Sequence, residues 1–147
     1  MGDTIQEQLE AVNRYYKEMD EIYHNLAGRF GLSDTSLWVL YALCASSQTY
    51  TQYDLCTEWF YPKQTVNSAI NHLVRDGFIE LEPIKGTRNR KAVHLTDAGK
   101  NFCKDTVLPL IQAEQRCFER FTAEERATLL LLQKKQLTFF KEETKLL

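Results

Sequence analysis

The sequence lacks the motifs that common enzyme classes require. It contains no G-x-S-x-G, no phosphate-binding P-loop, no glycine-rich dinucleotide fingerprint and no H-E-x-x-H. It also has no run of apolar residues long enough to span a membrane, and its first residues have neither the basic region nor the apolar core of a secretory signal. These absences predict a cytoplasmic protein that is not an enzyme, does not enter a membrane and needs no cofactor.

Metal-ligand spacing is also missing. The four cysteines form no C-x-x-C pair and have no histidine nearby: Cys44, Cys56, Cys103 and Cys117. The three histidines are equally scattered: His24, His72 and His94. The sequence therefore predicts no metal site. Free cysteines are most often small buried hydrophobic residues, and a thiol that senses oxidants is the alternative.

The chain does contain a short helix that is bounded by residues typical of helix ends. Pro62 suits a first helical position, and Gly77 suits the left-handed residue that follows a helix. The residues predicted to pack share one face: Val66, Ala69, Ile70, Leu73 and Val74. Amides, hydroxyls and cations share the other: Lys63, Gln64, Thr65, Asn67, Ser68, Asn71 and Arg75. Such side chains can pair with base edges in a DNA major groove, whereas the alternative is a polar face that is simply solvated.

A predicted β-hairpin follows the helix directly. Its strands are residues 78–81 and 92–95, and Pro83 closes the first of them. The loop between them, residues 84–91, carries four cations and no anion, and Gly86 permits a tight turn. A cationic hairpin beside an amide-rich helix is the arrangement of a winged helix, in which the hairpin reaches the neighbouring minor groove or phosphates.

The charge distribution supports this interpretation. The whole chain has a net charge of −2, but residues 62–104 carry eight cations and four anions. A locally positive surface is sufficient for contact with DNA, and an acidic remainder discourages wrong modes of contact.

Amphipathic helices are predicted on both sides of this region. The first has an unbroken 3.5-residue apolar repeat: Ile5, Leu9, Val12, Tyr16, Met19, Tyr23, Leu26 and Phe30. Gly31 ends it, Ser33 or Asp34 caps a second helix over about residues 35–46, and Thr51 with Asp54 resembles a capping box that opens a third. A stripe this long at the end of a small domain favours burial against a partner.

Two more helices are predicted after the hairpin. Thr96 is placed to cap one, and Pro109 is expected to kink it near residues 107–108. Thr122 and Glu125 form a capping box for the last helix, whose apolar residues cover more than one face. The simplest arrangement packs these helices on the first helix of a second subunit.

These residues together resemble the MarR (multiple antibiotic resistance regulator) family of winged-helix transcription factors. The resemblance is carried by residues 63–66, by residues 73–79, and by Asn89-Arg90-Lys91-Ala92 followed by residues 95–99. Family members commonly have Asp directly before the wing arginine, where this chain has Asn89. An amide hydrogen bond is then expected to replace the salt bridge that holds Arg90.

The resemblance implies a mainly α (α+β) fold, a winged helix-turn-helix with long N- and C-terminal dimerisation helices. Residues 1–147 are predicted to form one domain, with dimerisation helices in 1–30 and 97–147 and the winged helix-turn-helix lobe in 33–95. The predicted function is a homodimeric repressor that binds a palindromic operator in double-stranded DNA. The predicted DNA contacts are Lys63, Gln64, Thr65, Asn67, Ser68, Asn71, Lys85, Arg88, Arg90 and Lys91.

A small aromatic effector is the third partner that the resemblance implies. The family often binds one between the dimerisation platform and the DNA-binding lobe. Aromatic residues of the first two helices are the candidates: Tyr16, Tyr23, Trp38 and Tyr41. Simple core packing of these rings is the alternative. For the whole chain, the alternatives are a winged helix used for protein–protein contact and a thiol-based redox regulator.

Overall fold

The computed structural model describes residues 4–147. The first three residues, where the predicted 1–30 segment begins, lie outside the described residues. The elements, in chain order, are α1 (Ile5–Arg29), α2 (Asp34–Ala45), β1 (Tyr50–Thr51), α3 (Gln52–Glu58), α4 (Lys63–Arg75), β2 (Ile79–Pro83), β3 (Lys91–Leu95), α5 (Asp97–Asp105), α6 (Val107–Glu119) and α7 (Ala123–Thr144). The predicted winged helix-turn-helix fold is confirmed.

Four of the predicted helix starts are confirmed, and each of them has a local capping hydrogen bond. Ser33, Thr51, Thr96 and Thr122 all accept a hydrogen bond from a backbone N–H of the following first turn. Thr51 and Thr122 complete reciprocal capping boxes with Asp54 and Glu125. Such caps typically contribute about 1 kcal/mol each.

Helix α4 differs from the prediction at Pro62 and at Val74. Pro62 is the N-cap, with φ −58° and ψ 141°, rather than the first helical residue. Val74, predicted to pack with the apolar face, is 40% exposed. The end of the helix agrees with the prediction: Gly77 has φ +80°, and the Phe78 N–H donates to the Leu73 carbonyl over 2.9 Å. This pattern is a Schellman motif, which turns the chain into β2.

The sheet has one strand more than predicted. Its order is β1-β3-β2 and all pairs are antiparallel, with Thr51 opposite Ala92 and Ile79 opposite Leu95. The two-residue strand β1 carries no periodicity that a sequence pattern could reveal. It attaches the wing to the start of α3.

The chain clusters into two compact units, Met1–Pro109 and Leu110–Leu147. Within the first unit, the core is formed by side chains from the helices and the sheet: Leu37, Leu40, Leu55, Val66, Ile70, Leu73, Ile79 and Val93. The expected kink is a full interruption at Thr106, whose φ and ψ are −129° and −76°. It lies one residue before the expected position and three before Pro109, whose nitrogen cannot donate to a preceding helical turn.

Candidate nucleic-acid interface

The polar face of α4 is open to solvent. Five of its six predicted contact residues are exposed: Lys63, Gln64, Thr65, Ser68 and Asn71. Pro62 offers no side-chain cap and the first turn contains no acid, so the N–H groups at this helix end stay available to an anion. The face thus combines base-edge donors and acceptors with an end that favours phosphate.

Asn67 differs from the other predicted contacts. It is only half-exposed, and its Oδ1 atom is buried without a hydrogen-bond partner. The sequence spacing places it on the polar face, but the position lies at the edge of that face, one residue after the buried Val66. A buried amide oxygen without a partner costs free energy. Because this oxygen is buried, the Asn67 side chain is less available to a base than that of Gln64.

The wing loop between β2 and β3 is held by hydrogen bonds within the loop. The Ile84 N–H donates to the Arg90 carbonyl over 3.0 Å, and the Thr87 hydroxyl donates to the Ile84 carbonyl over 2.8 Å. Gly86 has φ +81°, as the tight turn requires. The four predicted wing cations are all exposed: Lys85, Arg88, Arg90 and Lys91.

Arg90 is held by an aromatic ring instead of an acid. Its guanidinium carbon lies 5.6 Å from the centre of the Tyr53 ring, which belongs to α3. A cation over an aromatic face is stabilised by roughly 0.5–1 kcal/mol at an exposed site. The expected hydrogen bond from Asn89 is therefore not what positions this side chain. No sequence signal pointed to Tyr53, because the contact joins two distant segments.

A concave surface connects the helix and the wing. It has a volume of about 450 Å³ and is lined by Thr51, Gln52, Tyr53, Cys56, Lys63, Asn89, Arg90 and Lys91. Three cations and no carboxylate face it. Burial raises the pKa of the Cys56 thiol, and the charge of Lys63 opposes that effect. Of the predicted contacts, Lys63 from α4 and Arg90 and Lys91 from the wing therefore meet on one positively charged surface.

Three of the four predicted effector residues form an aromatic cluster: Tyr23, Trp38 and Tyr41. The ring centres of Tyr23 and Trp38 are 4.9 Å apart, and those of Trp38 and Tyr41 are 5.2 Å apart. Trp59, which the sequence did not single out, stacks on Trp38 at 5.4 Å. Tyr16 lies two turns earlier on α1 and is 42% exposed.

A cavity of about 300 Å³ adjoins this cluster. It is lined by Asp20, Tyr23, His24, Asp34, Leu37, Trp38 and Tyr61, so it includes two of the four predicted residues. His24 Nδ1 lies 2.9 Å from Asp34 Oδ1. Burial and the charges of Asp34 and Asp20 raise the pKa of the Tyr61 phenol. Two carboxylates therefore line the cavity, and that of Asp34 lies against the His24 ring.

Across residues 4–147, no group of three or more His, Cys, Asp or Glu side chains is placed to hold a metal ion. Within the same range, no helix is both long enough and apolar enough to cross a membrane.

Fold and interface together define a winged helix-turn-helix protein. Its resemblance to the MarR family is confirmed: residues 30–88 match the model of that family, and many solved MarR family regulators share the fold over nearly the whole chain. The matched segment runs from the end of α1 into the wing loop. Among curated proteins, none matches the chain.

Three solved structures illustrate the similarity. A MarR family regulator from Neisseria meningitidis is 26% identical, with a TM-score of 0.69 over 93% of this chain and 95% of that one. AbsC, a MarR family transcriptional regulator from Streptomyces coelicolor, is 18% identical with a TM-score of 0.78 over 97% of both chains. MepR from S. aureus, solved as a DNA complex, is 20% identical with a TM-score of 0.69 over 95% of this chain and 99% of that one.

Proposed function

We propose that this protein is a homodimeric, sequence-specific DNA-binding transcriptional repressor that a small-molecule effector releases from a palindromic operator. The observation that carries the proposal is the positively charged surface on which Lys63, at the start of the exposed polar face of α4, meets Arg90 and Lys91 of the wing. The similarity to MarR family regulators, and the fact that one neighbour was solved bound to DNA, support it.

The proposed contacts fall into three groups according to the part of the DNA that they bind. Gln64, Thr65 and Ser68, near the start of α4, enter the major groove and pair with base edges. The uncapped N–H groups of that helix end and Lys63 contact phosphate. Arg88 and Arg90 extend from the wing towards the neighbouring minor groove or its phosphates.

Selection from a random duplex library tests the proposal directly. The purified protein should enrich a palindromic sequence whose half-sites lie roughly 10 base pairs apart, as a two-fold dimer requires. Enrichment of no sequence, with binding no tighter than to bulk duplex, would favour a winged helix that binds protein instead.

Dimerisation is expected through the terminal helices. Apolar side chains of α1 are open in the single chain, including Leu9 at 45% and Met19 at 57% exposure, and α7 exposes Leu130 and Phe140 at 65% and 66%. Exposed apolar surface on this scale is typical of an interface. Sedimentation at micromolar concentration should give twice the chain mass.

A charge on the α1 stripe tests the same surface. Leu9→Glu should shift the mass to that of one chain, while Glu18→Lys, exposed on the same helix but off the stripe, should leave the dimer intact. A stable monomer that still binds palindromic DNA tightly would contradict the prediction.

Base reading should be separable from electrostatics in variants of α4. Gln64→Ala is expected to relax preference at particular base pairs by roughly 1–3 kcal/mol, with the salt dependence nearly unchanged. Asn67→Ala should do the same to a smaller extent, because its amide oxygen is buried. Titration against operator and scrambled duplex over a range of salt measures both quantities. A uniform loss on all sequences would assign Gln64 to phosphate instead.

The cavity beside Trp38 is the proposed effector site. The family resemblance implies a small aromatic effector, and Asp20 and Asp34 would repel one that carries a carboxylate. An aromatic ammonium compound should therefore raise the melting temperature more than an aromatic carboxylate of equal size. It should weaken operator binding only as far as it prefers the state that cannot bind DNA. If neither compound shifts melting or DNA binding, the rings only pack.

A further inference from the structure

We propose that Phe60, in the turn between α3 and α4, is a specificity-determining residue that contacts the methyl group of a thymine in the DNA major groove. The contact rests on the proposed function and adds a base-reading residue to those of α4. The sequence did not predict it, because Phe60 lies before the helix whose spacing identified the other contacts.

Phe60 has a backbone conformation that the chain elsewhere leaves to glycine. Its φ is +57°, and among residues 4–147 it is the only residue other than glycine with a positive φ. The other positive values, between +74° and +81°, belong to Gly31, Gly77 and Gly86. In the left-handed conformation, the Cβ atom of an L residue crowds the following carbonyl oxygen. Glycine would therefore fit this turn more easily than phenylalanine does.

The Phe60 side chain contributes almost no burial in return. It is 92% exposed, and among the large apolar side chains of the described residues only the terminal Leu147 is more exposed. Its two neighbours in the turn behave differently. The Trp59 ring stacks on Trp38 with ring centres 5.4 Å apart, and Tyr61 lines the cavity beside that cluster. The fold of the single chain thus gives no reason for an aromatic ring at Phe60.

The turn leads directly into the end of α4 that is proposed to enter the groove. Pro62 is the N-cap of α4, and Lys63 is its first residue. Because consecutive Cα atoms are about 3.8 Å apart, the Cα atom of Phe60 lies within about 11 Å of that of Lys63. A recognition helix contacts base edges with its N-terminal residues, so the turn before it passes close to the edge of the groove.

The chemistry of the ring selects thymine among the parts of the DNA. Phenylalanine makes apolar contact with the C5-methyl group that thymine displays in the major groove. The ring carries no charge and releases no counterion from a phosphate. Loss of the ring should therefore weaken binding only to duplexes that carry the methyl group, and it should leave the salt slope unchanged, unlike loss of Arg90.

Deoxyuridine, which lacks only the methyl group of thymidine, tests the contact. Each thymine of the operator obtained from the library selection is replaced in turn, in both half-sites. At one position, the parent should lose about fourfold in affinity per half-site, as expected for one buried methyl group. Phe60→Gly should bind the thymine operator more weakly by about fourfold or more per half-site, and should not respond to deoxyuridine at that position. Phe60→Tyr, the matched control, keeps the ring and should respond like the parent.

Two measurements separate this contact from a structural role of Phe60. Phe60→Gly should unfold at the same urea concentration as the parent or a higher one, because glycine relieves the left-handed conformation. It should also sediment with the mass of the parent. Phe60→Asn repeats both measurements and the DNA titration if glycine loosens the turn, because asparagine tolerates the same conformation.

Several results would overturn the inference while the proposed function stands. One is equal operator affinity of Phe60→Gly and the parent; another is a loss that is the same with thymine and deoxyuridine at every position. A lower urea midpoint would show that the ring supports the fold, and a shift to the mass of one chain would place it in the subunit interface. If the parent itself selects no sequence, the proposed function fails, and the contact fails with it.

Discussion

Gly99→Ala is expected to destabilise the protein by about 3 kcal/mol, at the upper end of the usual cost of inserting a methyl group into a packed site. Gly99 lies in the first turn of α5 and is buried. A Cβ added there would collide with the carbonyl oxygen of Phe78, and it would lie 2.9 Å from that carbonyl carbon and 3.2 Å from Leu95 Cδ2. The nearest obstacle is backbone, which cannot move aside as the end of a flexible side chain would.

Gly28→Ala is the matched control for this prediction. Gly28 is also helical, on α1, and a Cβ added there would have nothing within 4 Å. Alanine at such a position should stabilise by roughly 0.5–1 kcal/mol, because glycine is a poor helix former. Urea unfolding of both variants measures the difference. Equal midpoints for Gly99→Ala and the parent would show that α5 moves away from Phe78 at little cost.

Arg90→Ala is expected to weaken DNA binding by roughly 1–3 kcal/mol on many sequences and to reduce the salt slope by about one phosphate contact. The side chain leaves the wing towards the surface shared with α4, and it is ordered over the Tyr53 ring. Affinity measured against operator and scrambled duplex at several salt concentrations gives both the loss of binding free energy and the change in salt slope.

Two further variants test whether the effect of Arg90 depends on its charge or on its support by the Tyr53 ring. Lys17→Ala removes one exposed cation from α1, outside the interface, and should bind DNA like the parent. Tyr53→Leu keeps the Arg90 charge but removes its aromatic support, so it should produce an intermediate loss. If Arg90→Ala is folded and dimeric yet binds like the parent, the assignment of the wing to DNA is wrong.

The helix starts and stops were predictable because they depend on neighbouring residues. Thr51 and Asp54 are three positions apart, as are Thr122 and Glu125, so each capping box can be recognised from the sequence spacing alone. Gly77 ends α4 through hydrogen bonds that span only a few residues. The amide-rich face of α4 and the cations of the wing could also be identified from the sequence, because each is formed by residues close together in the chain.

The features that the sequence did not reveal all depend on tertiary contacts. Tyr53 supports Arg90 from a different helix, and Trp59 joins the aromatic cluster across the helix-turn-helix. The burial of the Asn67 amide oxygen, and the exposure of Val74, are set by which neighbours cover each edge of α4. A helical period assigns residues to faces, but it cannot locate the boundary of the covered area.

Thr51 ties the wing to the helix-turn-helix at a single residue. It pairs with Ala92 in the sheet, and its N–H donates to Asp54 Oδ2 over 2.9 Å while its hydroxyl accepts from the Asp54 N–H over 3.1 Å. The sheet and α3 are therefore fixed to each other through this one residue. Insertions and deletions should accumulate in the loops at residues 46–49 and 84–90, where length can change without disturbing that connection. Within this lobe, those two loops are where related sequences can diverge most freely in length.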